Sequence, residues 1–261
     1  MKSIQILLST MNENIYNVQL NNTLSYVIVH QVSDGQEASY LHYMQGLSSL
    51  TKFKYIQLLN QKGLSKSRNV AIRESSADYI IFSDDDNYYI KNIEDKIRQV
   101  LEELGNPDFV SFKIEDDKGN EFKKYKTTPF RHSKNSALRI SSIENVVSRK
   151  FIVDNDITFN ESFGLGARYP SCEQPLFLND ILDSGGRAYF YPETITFHPL
   201  INSGDDFFTS LNAITRRKLF LSLYGCMKGN IYCLIFILKK ITVVPNGKKA
   251  NFIKHLLGWR E

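Results

Sequence analysis

A chain of 261 residues that is 42% hydrophobic and 23% charged can bury the core of one large domain, or of one domain with an appendage. It is neither disordered nor fibrous in composition, and three cysteines (Cys172, Cys226, Cys233) without metal-type spacing exclude a disulfide framework and point to a reducing compartment. The net charge of +4 hides an asymmetry: residues 207–261 carry ten Lys and Arg against one acid, whereas the other 206 residues carry 22 basic and 27 acidic side chains, so an anionic surface is the expected partner of the tail.

The opening MKSIQILLSTMNENIY has one lysine and a short apolar run that polar residues and an acid interrupt at once, unlike a signal peptide. IQILLST (4–10), LSYVIVHQ (24–31) and FKYIQLLN (53–60) have the length and aliphatic content of buried strands. GLSKSRNVAIRESS (63–76) has a broadly helical spacing of Leu64, Val70 and Ile72, with Ser65 as the expected N-cap. DYIIF (78–82) is a fourth strand. NIEDKIRQVLEELG (92–105) is an amphipathic helix, with Ile93, Ile97, Val100, Leu101 and Leu104 on one face. PDFVSFKI (107–114) is a further strand. This alternation predicts an α/β fold with a mostly parallel sheet, whose ligands sit beyond the carboxyl ends of the strands.

From 115 to 142 the chain is polar and mixed in charge, and reads as a loop or hairpin over the site. The spacing predicts a helix over 143–151, then a glycine-rich loop (163–172) entering a helix near Glu173, and a strand pair over 187–199 ending at His198. The tail holds LFLSLYGCMKGNIYCLIFILKKI, but Gly225, Lys228, Gly229 and Asn230 interrupt it. Its longest apolar run, 231–238, is eight residues, against the ~20 that a membrane span needs. It reads either as amphipathic helices lying on a membrane, with Lys239 and Lys240 at the headgroups, or as helices that cap the domain.

Three adjacent carboxylates, Asp84, Asp85 and Asp86, end the DYIIFS strand. With side chains alternating along an extended segment, Asp84 and Asp86 face one way and Asp85 the other. An Asp-x-Asp pair can serve one divalent cation and a diphosphate, since Mg²⁺ and Mn²⁺ take hard oxygen ligands; the plain alternative is a solvated acidic turn.

GLSKSRNVAIRESSADYIIFSDDDNYY resembles the nucleotide-sugar-binding half of family 2 glycosyltransferases of the GT-A fold. FGLGARYPSCEQPLFLNDILDSGGRAYFYPETITFHP resembles the acceptor half of their bacterial capsule, O-antigen and exopolysaccharide members. Together the resemblance spans roughly 4–199. It implies a Rossmann-like, mostly parallel central sheet flanked by helices, here with a C-terminal basic amphipathic helical tail. The implied organisation is a domain over 1–205, with a donor half (1–115) and an acceptor half (116–205), and a tail over 206–261.

The resemblance also implies roles. Thr10, Asn12 and Glu13 lie where the base and ribose sit, and Arg68 would approach the uridine or diphosphate. Asp84 would contact ribose or metal, and Asp85 is counted with the donor-binding residues. Asp86 and His198 would hold a Mn²⁺ or Mg²⁺ ion. The second strand departs from the family's acidic turn: in HQVSDG either Asp34 serves three residues late, or His30 and Gln31 contact the base. Where the family has Glu-Asp, this chain has Glu173-Gln174, and an amide cannot accept the acceptor's proton. Glu173 is therefore the first choice of catalytic base, ahead of Asp154, Asp156 and Asp180; otherwise it is an acid at a helix N-terminus. The implied activity is inverting, metal-dependent transfer from a nucleotide sugar, UDP-linked, to a glycan or polyprenyl-diphosphate-linked acceptor in surface polysaccharide synthesis. The expected place is the cytoplasm, at the inner face of the cell membrane.

Two rivals are a non-catalytic nucleotide-sugar-binding protein of the same fold and a nucleotidyltransferase. STMNENIYN, after the first strand, lacks the glycine-rich phosphate loop that a nucleotidyltransferase would carry. Nucleic acid is not an expected partner, because the tail's cations lie beside aliphatic residues without a stacking platform.

Overall fold

The computed structural model describes residues 1–199 and 206–259. Nine strands form one sheet. In its first half β1 (Ile4–Met11) lies between β2 (Ser25–Val32) and β4 (Tyr79–Ser83), with β3 (Lys52–Leu59) outside β2, all parallel. Alternate residues feed two cores. Ile6, Leu8 and Ile81 pack towards α1 (Glu37–Leu47) and α3 (Ile93–Glu103), and Leu7, Ile80 and Phe82 towards α2 (Leu64–Glu74). Burial on both faces is why these strands read as continuous apolar runs. The helix α1 left little trace in the sequence, because it buries only Tyr40 and Met44.

The second half adds β6 (Phe109–Glu115), β8 (Asn145–Ser148) and β9 (Ala188–Phe197). β8 runs antiparallel between β4 and β6, and β6 pairs with β9 in parallel. The short β5 (Tyr88–Tyr89) and β7 (Phe130–Arg131) flank β9 antiparallel, at its opposite ends.

Two sequence expectations change here. The stretch 143–151 is a short 3₁₀ turn, then β8, then α5 (Arg149–Asp154), not one helix. Val146 and Val147 are both fully buried but in different cores, a period-2 burial that only a strand gives. The stretch 187–199 is one ten-residue strand rather than a pair. Pro192, which cannot donate to a ladder, falls within a register shift between β9 and β6.

α4 (Lys134–Ala137) precedes β8, and after α5 a glycine loop leads to α6 (Glu173–Asp183). The tail folds as α7 (Ser210–Lys240) and α8 (Lys249–Leu257). α7 breaks at Gly225 (φ 73°, ψ 179°), so it consists of two arms, 210–224 and 226–240. Each is shorter than the ~20 residues of a span. The arms touch at Gly229, where a Cβ would lie 2.8 Å from the Phe220 carbonyl oxygen. Leu219, Cys233 and Phe252 from the tail form a third core with Phe163, Cys172 and Leu176. The tail thus packs behind the glycine loop and the start of α6. The domain boundary expected at 205/206 adjoins residues 200–205, which lie outside those described.

Candidate active site

The site lies at the carboxyl ends of β1, β2 and β4, where the parallel half of the sheet opens. Beyond Ser83 the chain leaves the strand, and Asp85 and Asp86 form a turn. The alternation assumed for the three aspartates therefore does not hold, and each carboxylate turns to a different element. Asp84 accepts from Arg68 at 2.9 Å, Asp85 accepts from the Thr10 hydroxyl at 2.8 Å, and Asp86 lies 3.2 Å from His198 Nε2.

Arg68 is fully buried, and its guanidinium reaches in two directions, to Asp84 and, at 3.1 Å, to Glu173. It sits over the rings of Phe82 and Phe159, with its carbon 5.9 and 5.6 Å from their centroids. Sequence reasoning put Arg68 against the donor. The structure buries it fully, as the strut between a carboxylate from each half. Glu173 is the first residue of α6 and accepts from Arg68 through Oε1.

The two sequence blocks meet at backbone level. The Leu64 amide donates to the Leu165 carbonyl at 2.9 Å, and Asn69 bonds the Phe159 backbone through both its amide atoms. Ser65 is not the N-cap of α2: Gly63 holds that position, and the Ser65 hydroxyl donates to the Phe163 carbonyl at 2.5 Å. Gly164 has φ +105°, and a Cβ there would meet Ser65 Oγ at 2.8 Å and the Glu173 side chain at 3.5 Å. Only glycine lets the loop approach this closely.

Charge at the turn is uneven. Burial, with the neighbouring Asp84 and Asp86, pushes the Asp85 carboxyl above its usual range, although the Thr10 bond opposes the shift. The bond from His198 pulls Asp86 below it, against burial. Burial alone would lower His198, but the bond and charge of Asp86 raise it. A carboxylate beside an imidazole suits a divalent cation that takes its remaining ligands from a diphosphate. Among the described residues no group of three His, Cys, Asp or Glu side chains is placed to hold a metal by itself. Asp84, held by Arg68, does not join the pair.

The other expected donor residues are spread around the rim. Asn12, at φ +50°, accepts from the Ser33 amide at 2.9 Å, and Glu13 is exposed. Asp34 is exposed and accepts from the Tyr40 hydroxyl at 2.6 Å, which lowers its carboxyl pKa. His30 is fully buried between Tyr55 and the Asn12 carbonyl, and Gln31 donates to the Gly63 carbonyl. Both are committed internally, so of the two options in HQVSDG only Asp34 faces solvent. Gln174 is buried, with neither amide atom bonded to a partner. Asp154 pairs with Lys150 on the surface, and burial raises the Asp180 carboxyl. Asp156 is exposed, at φ +53°.

A family model described as "Glycosyl transferase family 2" matches residues 17–164. A protein described as an uncharacterized glycosyltransferase from Haemophilus influenzae is 29% identical over 121 residues, covering 46% of this chain and 41% of that protein. The fold is similar to that of S. aureus TarS, with a TM-score of 0.61 and 18% identity, over 91% of this chain and 43% of that one. It is also similar to TarS 1–349 in complex with UDP-GlcNAc, with a TM-score of 0.65 and 17% identity, over 97% and 79%. This chain thus spans less than half the length of the curated relative and of whole TarS.

Proposed function

This chain belongs to glycosyltransferase family 2, and from that premise we propose that it is an inverting, metal-dependent glycosyltransferase using a UDP-sugar donor. The observation that carries the proposal is the Asp84–Arg68–Glu173 bridge, which ties a candidate base on α6 to the aspartate turn that also carries the Asp86–His198 pair. TarS 1–349 has been solved with UDP and with UDP-GlcNAc, and its likeness in fold supports a uridine donor here.

In this mechanism Thr10, Asn12, Glu13 and Asp34 line the nucleoside side, and Asp85, bonded to Thr10, holds that rim in place. Asp86 and His198 would hold Mn²⁺ or Mg²⁺, which when bound supplies electrostatic and Lewis-acid stabilisation of charge on the leaving diphosphate. Glu173 takes the proton from the acceptor hydroxyl, which attacks the anomeric carbon opposite the diphosphate. A single displacement inverts that centre. Arg68 orients Glu173 through one carboxylate oxygen, so that the other serves as the base.

Residues 1–115 then form the donor half, 116–205 the acceptor half and 206–261 a membrane-facing tail. On the second arm of α7, Met227, Ile231, Leu234 and Leu238 make one stripe at i, i+4, i+7 and i+11, each at least 49% exposed. Lys228 and Lys239 lie on the same arm, exposed. An apolar stripe with lysines fits an anionic bilayer, and hence a polyprenyl-diphosphate-linked acceptor at the inner face of the membrane.

The test is UDP release from a panel of UDP-sugars with Mn²⁺ and lipid-linked acceptors, comparing wild type with Asp86→Ala and Glu173→Gln. Turnover is expected to fall at least ~100-fold in both, the scale of lost general-base or charge stabilisation. Unchanged turnover in either variant refutes its assigned role. The buried, unbonded Gln174 in place of a carboxylate favours a second reading, a non-catalytic binder. UDP binding by wild type without turnover on any donor would select it.

A further inference from the structure

A cavity of about 460 Å³ opens on the second half of the sheet, away from the aspartate turn. Its wall combines two kinds of side chain. Tyr125, Phe130 and Phe190 supply near-parallel rings: Tyr125 and Phe190 lie at 5° with centroids 5.9 Å apart, and Phe130 and Phe190 at 29° and 5.1 Å. Lys124, Lys126, Arg131 and Arg139 supply cations at the rim, all exposed.

The charge there is unbalanced. The single acid in the wall, Glu144, is buried and already accepts from Lys123 at 2.7 Å and from the Tyr125 hydroxyl at 3.0 Å. Among the described residues none of the four rim cations makes an ion pair. Arg139 donates to the Lys124 carbonyl, which orients its guanidinium, and Lys126 sits 5.0 Å from the centre of the Phe130 ring. His132, at the base, is bonded on both ring nitrogens by Ser111 and Ser136 and adds no charge at neutral pH, since burial lowers its pKa to about 4. Four uncompensated cations around one concavity repel one another, and a bound anion relieves that repulsion. Flat apolar rings beside them present the surface that the apolar face of a pyranose covers, as other amphipathic ligands do.

The cavity is also continuous with the site along the chain. Phe122 packs edge-on to His198, with ring centroids 5.6 Å apart, and the next residue, Lys123, enters the cavity wall. We propose that this cavity is a subsite for an acidic saccharide, a sugar bearing carboxylate or phosphate, that belongs to the acceptor. The identification with the acceptor rests on the glycosyltransferase reading above; the binding chemistry does not.

The test is calorimetric titration of the full chain with an oligogalacturonate, with neutral maltohexaose of similar length, and with inorganic phosphate. Oligogalacturonate is expected to bind at least tenfold more tightly than either of the others. Arg131→Ser with Arg139→Ser, and separately Phe130→Ala, are each expected to weaken it at least tenfold without changing the thermal midpoint or the affinity for UDP. Equal binding by wild type and the arginine double variant would overturn the site, as would no binding of oligogalacturonate at millimolar concentration. Phosphate binding as tightly as oligogalacturonate would overturn the saccharide assignment. Asp86→Ala is read in parallel: failure of wild type to bind UDP counts against the donor site, whereas oligogalacturonate binding retained in Asp86→Ala keeps the two sites separate.

Discussion

Arg68→Met is the most informative single change, because it keeps the volume of the side chain and removes the charge that joins the two halves. The guanidinium is fully buried and bonds Asp84 and Glu173, whose side chains are 32% and 12% exposed. A hydrogen bond to a charged group contributes ~1.5–3 kcal/mol, and removing one partner of a buried pair costs ~3–5 kcal/mol. Water can reach Asp84 and partly replaces its bond, so the larger share falls on Glu173. The expected loss is about 4 kcal/mol, which for a chain of this size lowers the thermal midpoint by roughly 8–16 °C.

Urea unfolding and differential scanning calorimetry would measure the loss. A fall of less than ~3 °C would refute the strut, since the measured effect would be below ~1.5 kcal/mol at these slopes. Arg68→Lys sharpens the test. A single ammonium cannot reproduce a fork that reaches two carboxylates in fixed directions, so it should recover less than half of the loss. A double-mutant cycle of Arg68→Met with Glu173→Gln should give a coupling of at least ~1 kcal/mol, because the two side chains touch.

Gly164→Ala forces both a left-handed backbone and a 2.8 Å contact with Ser65 Oγ; it is expected to destabilise by ~1–3 kcal/mol and to slow UDP-sugar turnover through Glu173, and a wild-type midpoint would contradict this. His132 is held neutral by burial, with a folded pKa of about 4 against 6.5 unfolded. Its stabilisation is complete above pH 6.5 and is lost as pH falls towards 4, about 2–3 kcal/mol at pH 4.5. In urea unfolding at pH 7 and 4.5, His132→Gln should lose correspondingly less than wild type between the two, and equal losses would be evidence against it. Leu234→Ser with Leu238→Ser, on the exposed stripe of α7, should cut sedimentation with anionic phosphatidylglycerol vesicles at least fivefold with an unchanged thermal midpoint; equal sedimentation would count against membrane contact.

The parts of this fold legible in the sequence are those with strong apolar periodicity. The strands β1, β2, β3, β4 and β6 and the helices α2 and α3 stand within two residues of their expected bounds. The short β8 was not legible as a strand, because four residues flanked by helical-looking sequence carry too little pattern. Only the separation of Val146 and Val147 into different cores reveals it. The aspartate trio announced a site, but its division among Thr10, Arg68 and His198 depends on a turn that begins at the end of β4. Arg68 could be named from its motif, whereas its burial could not, since the second carboxylate lies 105 positions away. Of the tail's two readings, capping is seen in Cys233 and Ile237, which pack into the third core, while Ile231, Leu234 and Leu238 face out, where the proposed membrane contact would be made.

Adjacent like charges normally cost stability, and here that cost is turned into registration of the two halves. Each aspartate is satisfied by a different element: β1 through Thr10, α2 through Arg68, and the end of β9 through His198. Arg68 then extends the contact to α6, whose first residue is Glu173. The same α2 is fastened to the glycine loop by Leu64, Ser65 and Asn69. Asp84 and Asp86 cannot shift without loosening Arg68 or His198, which tie the turn to the other half. On the proposed reading, a donor that draws on Asp84 acts on Glu173 through the one Arg68 side chain that bonds both. If Glu173 is the base, as proposed, this packing links donor occupancy at Asp84 to its orientation without a moving loop.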